Sequence, residues 1–155
     1  MTHNKLALEK LKQTDYVLGI DFGTKKMGCA VGQGLTGTAS PAKILHARNG
    51  TLSAPNELQS LIKEWRIKLI VVGLPISMDE SDNPITEAAR RFAVKIEKAS
   101  KLPVVLHDER LSTRAARELI AERGAGQSLQ RGGKNDKVDM IAACLILESF
   151  FGQYF

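Results

Sequence analysis

The chain of 155 residues is 43% hydrophobic, which is enough for one domain with its own core but short for two. Lysine and arginine outnumber aspartate and glutamate by 22 to 17, and the formal charge of +5 favours a polyanionic partner. Because no stretch has the roughly twenty apolar residues of a membrane span and no signal-peptide pattern is found, we expect a cytoplasmic protein without a membrane partner. Cys29 and Cys144 lie in apolar segments without C-x-x-C spacing, which indicates core residues and argues against zinc.

The chain begins with a mixed-charge segment, residues 1–15, in which only a helical turn around Leu6–Leu11 is indicated. We predict that this segment is an N-terminal extension. No linker or internal repeat divides the remainder, so residues 16–155 are predicted to form a single domain.

The first predicted strand, about 16–22, carries an acidic residue to a glycine turn. Alternation divides its side chains between two faces, with Leu18, Ile20 and Phe22 on one and Val17, Gly19 and Asp21 on the other. A carboxylate at the end of an apolar strand is costly to bury alone, because it needs a donor, a cation or solvent. Asp21 is therefore a functional candidate.

The next two predicted strands form a meander with the first. Met27–Gly32 reads as its hairpin partner, and the small residues Gly28, Ala30 and Gly32 on one face would let a helix or a neighbouring backbone approach closely. A third strand is predicted over Thr38–Arg48, where Pro41 indicates an edge or a bulge.

Helical and strand patterns then alternate. A helix follows Ser53, its predicted N-cap, with a core-facing stripe at Leu58, Leu61, Ile62 and Trp65. The apolar run Leu69–Val72 indicates a strand covered on both faces. A helix beginning at Asn83 and Pro84 leads to a short strand over Val104–His107, which runs directly into Asp108 and Glu109.

The last third of the chain is predicted to contain two helices and a loop. Ser112 would cap the first of these helices, which ends near Gly124, and residues 124–137 read as a glycine-rich loop. The last helix, about 136–151, is apolar nearly all round and should be largely buried. The order of elements predicts an α/β fold with an RNase H-like plan, in which a five-stranded mixed sheet is flanked by helices and the first strand is central.

Three carboxylates fall at element ends that this sheet would bring together. Asp21 and Glu109 end strands, and Asp139 lies about one turn into the last helix. Taken singly, Asp139 would only complement the helix dipole, which is worth about 0.3 to 1 kcal/mol. Three acids at one point repel one another, and an all-oxygen set favours Mg²⁺ or Mn²⁺. Two such ions can activate water and stabilise a leaving oxygen, so we predict a two-metal-ion hydrolase acting on phosphodiesters, with Asp21 as the bridging ligand.

Four sequence blocks resemble those of the YqgF/RuvX family, in family order and spacing. They are Ile20–Lys25, Val72–Pro75, Asp108–Thr113 and Lys137–Ala143. The resemblance implies an RNase H-like nuclease related to Holliday junction resolvases, which trims the 5′ end of precursor 16S ribosomal RNA in ribosome biogenesis. It also places the family's acidic triad on Asp21, Glu109 and Asp139. Asp136 stays outside the triad, because the family motif commonly has no acid there.

Basic residues near these acids are candidates for contacts with a phosphate backbone. They are Lys25, Arg110, Arg114, Arg117, Arg131, Lys134 and Lys137. An ordinary solvated helix face explains Arg117 almost as well. His107 would either orient Glu109 or be a hydrogen-bonded histidine at a strand end.

Several functions remain open at this stage. One alternative is that the nucleic acid is precursor rRNA, with ribosomal assembly particles as partners. Another is a four-way DNA junction, whose resolution calls for a homodimer. A non-catalytic RNA- or ribosome-associated module is a further alternative. Asp21–Thr24 also resembles a phosphate loop of actin-like ATPases, but the chain is too short for their two lobes and has no second phosphate loop.

Overall fold

The computed structural model describes residues 2–74, 84–108 and 133–155, which form one mixed sheet with helices on both of its faces. The strands are β1 (Tyr16–Asp21), β2 (Lys26–Gln33), β3 (Thr38–Arg48), β4 (Thr51–Leu52), β5 (Leu69–Leu74) and β6 (Val104–Asp108). The helices are α1 (Thr2–Lys10), α2 (Pro55–Trp65), α3 (Pro84–Ser100) and α4 (Gly133–Tyr154).

The sheet order is β4-β3-β2-β1-β5-β6, which confirms the predicted central position of β1. β1 pairs antiparallel with β2 and parallel with β5, and β5 pairs parallel with β6. The predicted count of five strands was wrong, because β4 adds a sixth strand at the edge. β4 has two residues, Thr51 and Leu52, that pair with Arg48 and Ala47, and so short a strand leaves no alternating pattern in the sequence.

The two faces of the sheet carry separate hydrophobic clusters. Alternation along β1 is as predicted, since Leu18 and Ile20 join one cluster while Val17 joins the other. The first cluster packs beneath α2 and α3, and the second packs beneath α4. Both cysteines are buried and free, as expected of core residues.

The edge of the sheet shows the irregularity predicted from Pro41. The register of β2 against β3 shifts between Cys29 and Ala30, which pair with Lys43 and Pro41 and leave an extra residue in β3. A bulge at this point accommodates a residue that cannot donate to the ladder.

Both ends of α2 differ from the prediction. Ala54, not Ser53, is the N-cap residue of α2, and the Ser53 amide instead donates to the carbonyl of His46 at 2.9 Å. Trp65 was placed in the core but is 37% exposed, with its ring edge-on to Tyr16 at 5.4 Å between centroids. Its position explains this: α2 ends there, and Arg66 turns away in the left-handed conformation.

The two ends of the chain are more helical than the sequence indicated. The predicted turn near the N-terminus is part of α1, and Leu8 and Leu11 pack against the cluster beneath α4. α4 begins at Gly133, so the predicted loop does not continue through residues 133–137. The predicted helix after Ser112 lies outside the described residues. In the three described ranges, no helix is both long and apolar enough to cross a membrane.

Candidate active site

Asp21 lies at the end of β1, on the face of the sheet that α4 covers. It pairs with Gly28 of β2 on one side and with Gly73 of β5 on the other, and Gly73 pairs in turn with His107 of β6. Four strands therefore bring one row of residues to this edge. Two of its three neighbours in this row are glycines, which have no side chains. The space beside Asp21 can therefore be occupied by other elements of the fold.

Helix α4 enters this space because Gly28 has no side chain. A Cβ atom at Gly28 would overlap the carbonyl group of Asp139. A Cβ atom at Gly19, on the same face of β1, would meet the side chain of Leu147 and the carbonyl oxygen of Ala143. The close approach that the sequence predicted from the small residues of β2 is confirmed. It sets the Asp139 backbone directly against the register partner of Asp21.

Asp139 is a half-buried carboxylate to which no described residue donates a hydrogen bond. Burial raises its pKa, the neighbouring charge of Asp136 raises the pKa further, and Lys26 lowers it. Within the part of the chain that the structure describes, its oxygens accept no hydrogen bond and form no ion pair. A carboxylate in such a position is stabilised by binding a cation.

Lys26 and Asp136 form an ion pair at the same end of the sheet. The ammonium nitrogen lies 2.6 Å from the Asp136 Oδ1, and the two side chains are 30% and 39% exposed. The hydrogen bond from Lys26 to Asp136 raises the pKa of the lysine. The sequence analysis did not single out Lys26, although its place two residues before Gly28 on one face of β2 was a usable signal.

His107 is buried and hydrogen-bonded. Its Nε2 lies 3.0 Å from the Ser149 hydroxyl of α4, and its ring is edge-on to Phe150 at 6.3 Å between centroids. Of the two predicted roles, the hydrogen-bonded histidine at a strand end describes these contacts. This bond joins the edge strand β6 to α4.

The other predicted site residues divide into two groups. Glu109, Arg110, Arg114, Arg117 and Arg131 lie outside the described residues. Glu109 directly follows Asp108, the last residue of β6.

Three predicted basic residues do belong to described elements. Lys25 is exposed in the turn between β1 and β2, where its carbonyl accepts a hydrogen bond from the Ala47 amide at 2.7 Å. Lys134 belongs to the first turn of α4, and Lys137, one turn further along, is half-buried. The turn and the start of the helix lie at the same end of the sheet as Asp21.

The donor chemistry of this end of the sheet fits a hard divalent cation. Asp21 and Asp139 offer carboxylate oxygens, the ligands that Mg²⁺ and Mn²⁺ prefer, and the nearby cysteine, Cys29, lies on the opposite face of the sheet. Among the described residues alone, no three His, Cys, Asp or Glu residues form a group able to hold a metal ion. A complete site therefore needs a further ligand, and Glu109 is the predicted one.

Comparisons with known proteins agree with this architecture. A family model described as "RuvX: Holliday junction resolvase" matches residues 15–153. A protein of Actinobacillus pleuropneumoniae serotype 5b (strain L20), named "Putative pre-16S rRNA nuclease", is 47% identical over 137 residues, which cover 87% of this chain and 95% of that protein. A protein of the same name from Salmonella heidelberg (strain SL476) is 45% identical over 140 residues, covering 90% of this chain and 98% of its own.

Solved structures show a similar fold at low sequence identity. RuvC of T. thermophilus, in complex with a Holliday junction substrate, matches with a TM-score of 0.54 and 15% identity over 90% of this chain and 94% of that chain. The yeast mitochondrial Holliday junction resolvase Ydc2 matches with a TM-score of 0.53 and 14% identity over 97% and 84%. These likenesses show the RNase H-like fold. The family model and the relatives show more, since they cover almost the whole chain: the protein belongs to the RuvX family.

Proposed function

We propose that this protein is a metal-dependent nuclease that hydrolyses phosphodiester bonds, with the 5′ end of precursor 16S rRNA as its substrate. The observation that carries the proposal is the half-buried Asp139, whose carboxylate has no donor among the described residues and whose backbone is held against Gly28, the register partner of Asp21. The names of the relatives support the choice of substrate.

Asp21, Glu109 and Asp139 would hold the metal, Mg²⁺ or Mn²⁺. A pair of such ions, when bound, supplies an activated water and stabilises the leaving oxygen of a phosphodiester. The chain contributes position: Asp21 is fixed by two neighbouring strands, and Asp139 is fixed by the contact of α4 with β2. Both acids are thereby oriented before the cation binds, which lowers the reorganisation that binding requires.

The basic residues around this end would bind the phosphate backbone. Lys25 from the turn and Lys134 and Lys137 from α4 are joined in the proposal by Arg110, Arg114 and Arg131. A surface that neutralises several phosphates binds less tightly as the salt concentration rises. On a single strand, the logarithm of the binding constant falls with the logarithm of the salt concentration, with a slope of about −0.7 per phosphate contact. The proposal places the protein in the cytoplasm, on precursor rRNA or on ribosomal assembly particles that contain it.

A second candidate function is cleavage of a four-way DNA junction. It is favoured by the description of the family and by the likeness of the fold to junction resolvases. Contacts to phosphates carry no code that separates RNA from DNA, so the acids and lysines serve either substrate. Junction cleavage would require a homodimer, which presents two sites to two strands.

The test is a cleavage assay with Mn²⁺ on three substrates: precursor 16S rRNA, single-stranded DNA and a four-way junction. Asp21→Asn and Asp139→Asn should each lower cleavage about 100-fold or more while the protein stays folded, because the metal chemistry supplies several kcal/mol of transition-state stabilisation. Glu64→Gln is the matched control, since it removes one exposed carboxylate from α2, on the other face of the sheet.

The outcomes separate the candidates. Cleavage of rRNA that both acid variants lose supports the proposal, and preferential cleavage of the junction supports the second candidate. Unchanged cleavage in both acid variants would show that the site is elsewhere. Binding of precursor rRNA with no metal-dependent cleavage of any substrate would identify a non-catalytic RNA-associated module.

A further inference from the structure

Two residues of β2 contact two acids of α4. Lys26 and Gly28 lie on the same face of β2, two residues apart, and they meet Asp136 and Asp139, which are one turn apart on α4. Gly28 admits the helix backbone, whereas Lys26 pairs with the Asp136 carboxylate at 2.6 Å. The same short stretch of β2 therefore neutralises the carboxylate of Asp136 but contacts only the backbone of Asp139.

Asp136 would be an additional metal ligand if it were not paired with Lys26. Residues three apart on a helix lie on one face, so its carboxylate is a neighbour of Asp139, and its charge raises the pKa of Asp139. A carboxylate so placed adds one more negative oxygen donor to any cation bound at Asp139. Ligand charge count is the main control on the affinity of such sites.

We propose that Lys26 acts as a built-in cation that engages Asp136 and keeps it out of the metal site, so that Asp139 alone of the two acids binds metal. The inference rests on the proposed metal site of the nuclease. Lys26 is a positioning residue in this scheme, because it acts through Asp136 and touches no substrate.

Stability is a poor explanation for this pair. Both side chains are about one-third exposed, and ion pairs with such exposure contribute little to the free energy of unfolding. The charged groups that face Lys26 are Asp136, its partner, and Asp139, whose pKa it lowers. The pair is therefore better placed to set the charge around Asp139 than to hold the fold together.

The experiment is calorimetric titration of the full chain with Mn²⁺ alone, without nucleic acid. Lys26→Met frees Asp136 and should lower the Kd for Mn²⁺ at least about tenfold, since it adds a carboxylate ligand. The double variant Lys26→Met/Asp136→Asn removes that ligand again and should return the Kd to within about threefold of the original. Lys25→Met removes the same charge from the adjacent exposed residue, and screening should limit its effect to about twofold.

The results distinguish this inference from the function on which it rests. If Lys26→Met binds Mn²⁺ no more tightly than Lys25→Met, the role of Lys26 is refuted while the metal site stands. If the unaltered protein binds no Mn²⁺ at all, both the inference and the metal-dependent mechanism fail. Lys26→Ala also frees Asp136, and it must show the same tightening of Mn²⁺ binding if Lys26→Met fails to fold.

Discussion

The two faces of the sheet are covered in different ways. Beneath α2 and α3, large side chains fill the space, and the ring centroids of Phe22 and Phe92 lie 5.5 Å apart. Beneath α4, glycines at 19, 28 and 32 remove side chains from the sheet, and the helix packs directly on the strands. Side chains separate the first face from its helices, whereas on the second face the backbone of α4 touches the sheet directly at Gly28.

This difference relates packing to chemistry. A close-packed layer of side chains sets the distance between a helix and the sheet by the volume of those side chains. A helix backbone in contact with a strand backbone has little freedom, so the acid that it carries is placed closely. The face beneath α4 is the one on which the Asp139 backbone lies against Gly28, the register partner of Asp21.

The largest effect on stability is expected beneath α2 and α3. Phe92→Ala would leave a cavity at a residue only 3% exposed, and the free energy of unfolding should fall by about 3 to 5 kcal/mol. Urea unfolding measures this change. Cleavage per folded molecule should stay the same, and a selective loss of cleavage would show that this face also shapes the site.

A smaller loss of stability but a larger loss of function is expected from Gly28→Ala. The added methyl group overlaps the Asp139 backbone, so α4 must shift, at a cost of about 1 to 3 kcal/mol. Because the shift moves Asp139, cleavage and Mn²⁺ affinity should both fall in protein that remains folded, as measured by cleavage assay and calorimetry.

Gly152→Ala is the matched control for Gly28→Ala. Gly152 lies on α4, the helix that Gly28 contacts. No atom outside its own helical surroundings lies within 4 Å of a Cβ at this position. Alanine is favoured over glycine in a helix by roughly 0.5 to 1 kcal/mol, so the variant should be slightly more stable and fully active. Equal losses in Gly28→Ala and Gly152→Ala would contradict the role of close approach.

A pH-dependent effect on stability is expected at Cys29, on the face beneath α2 and α3. Burial and the charge of Asp21 raise the pKa of the Cys29 thiol from 9.0 to about 12, although the charge of Lys43 acts in the opposite direction. Above pH 9 the unfolded thiol loses its proton while the folded one keeps it, so the unfolded state binds fewer protons and stability falls as pH rises. Between these pKa values the folding equilibrium constant should drop about tenfold per pH unit from this group.

Chemical denaturation at pH 8.5, 9.5 and 10.5 tests this expectation. Cys29→Ala lacks the thiol, so its stability should fall less steeply over the same range, although lysines and tyrosines titrate in both proteins. Parallel pH dependences would mean that the thiol is not held in an apolar environment.

Local patterns in the sequence were sufficient for most elements of the fold. Alternation assigned the faces of β1, the small residues of β2 predicted a close approach by a helix or a neighbouring backbone, and the apolar run of α4 predicted its burial. These features depend on period and side-chain size, which neighbouring residues define. The roles of Asp21, Glu109 and Asp139 stay predictions until the variants are measured.

Tertiary structure decided what depends on distant partners. β4 exists because Ala47 and Arg48 offer a pairing edge to two residues that form no pattern alone. Trp65 follows the helical stripe, yet it is partly exposed because α2 ends at the edge of the core. The pairing of Lys26 with Asp136 joins residues 110 positions apart in the chain, and no local pattern encodes such a contact. Periodicity placed acids at the ends of elements. Only the packing of α4 on β2 determined that Asp136, rather than Asp139, forms the ion pair with Lys26.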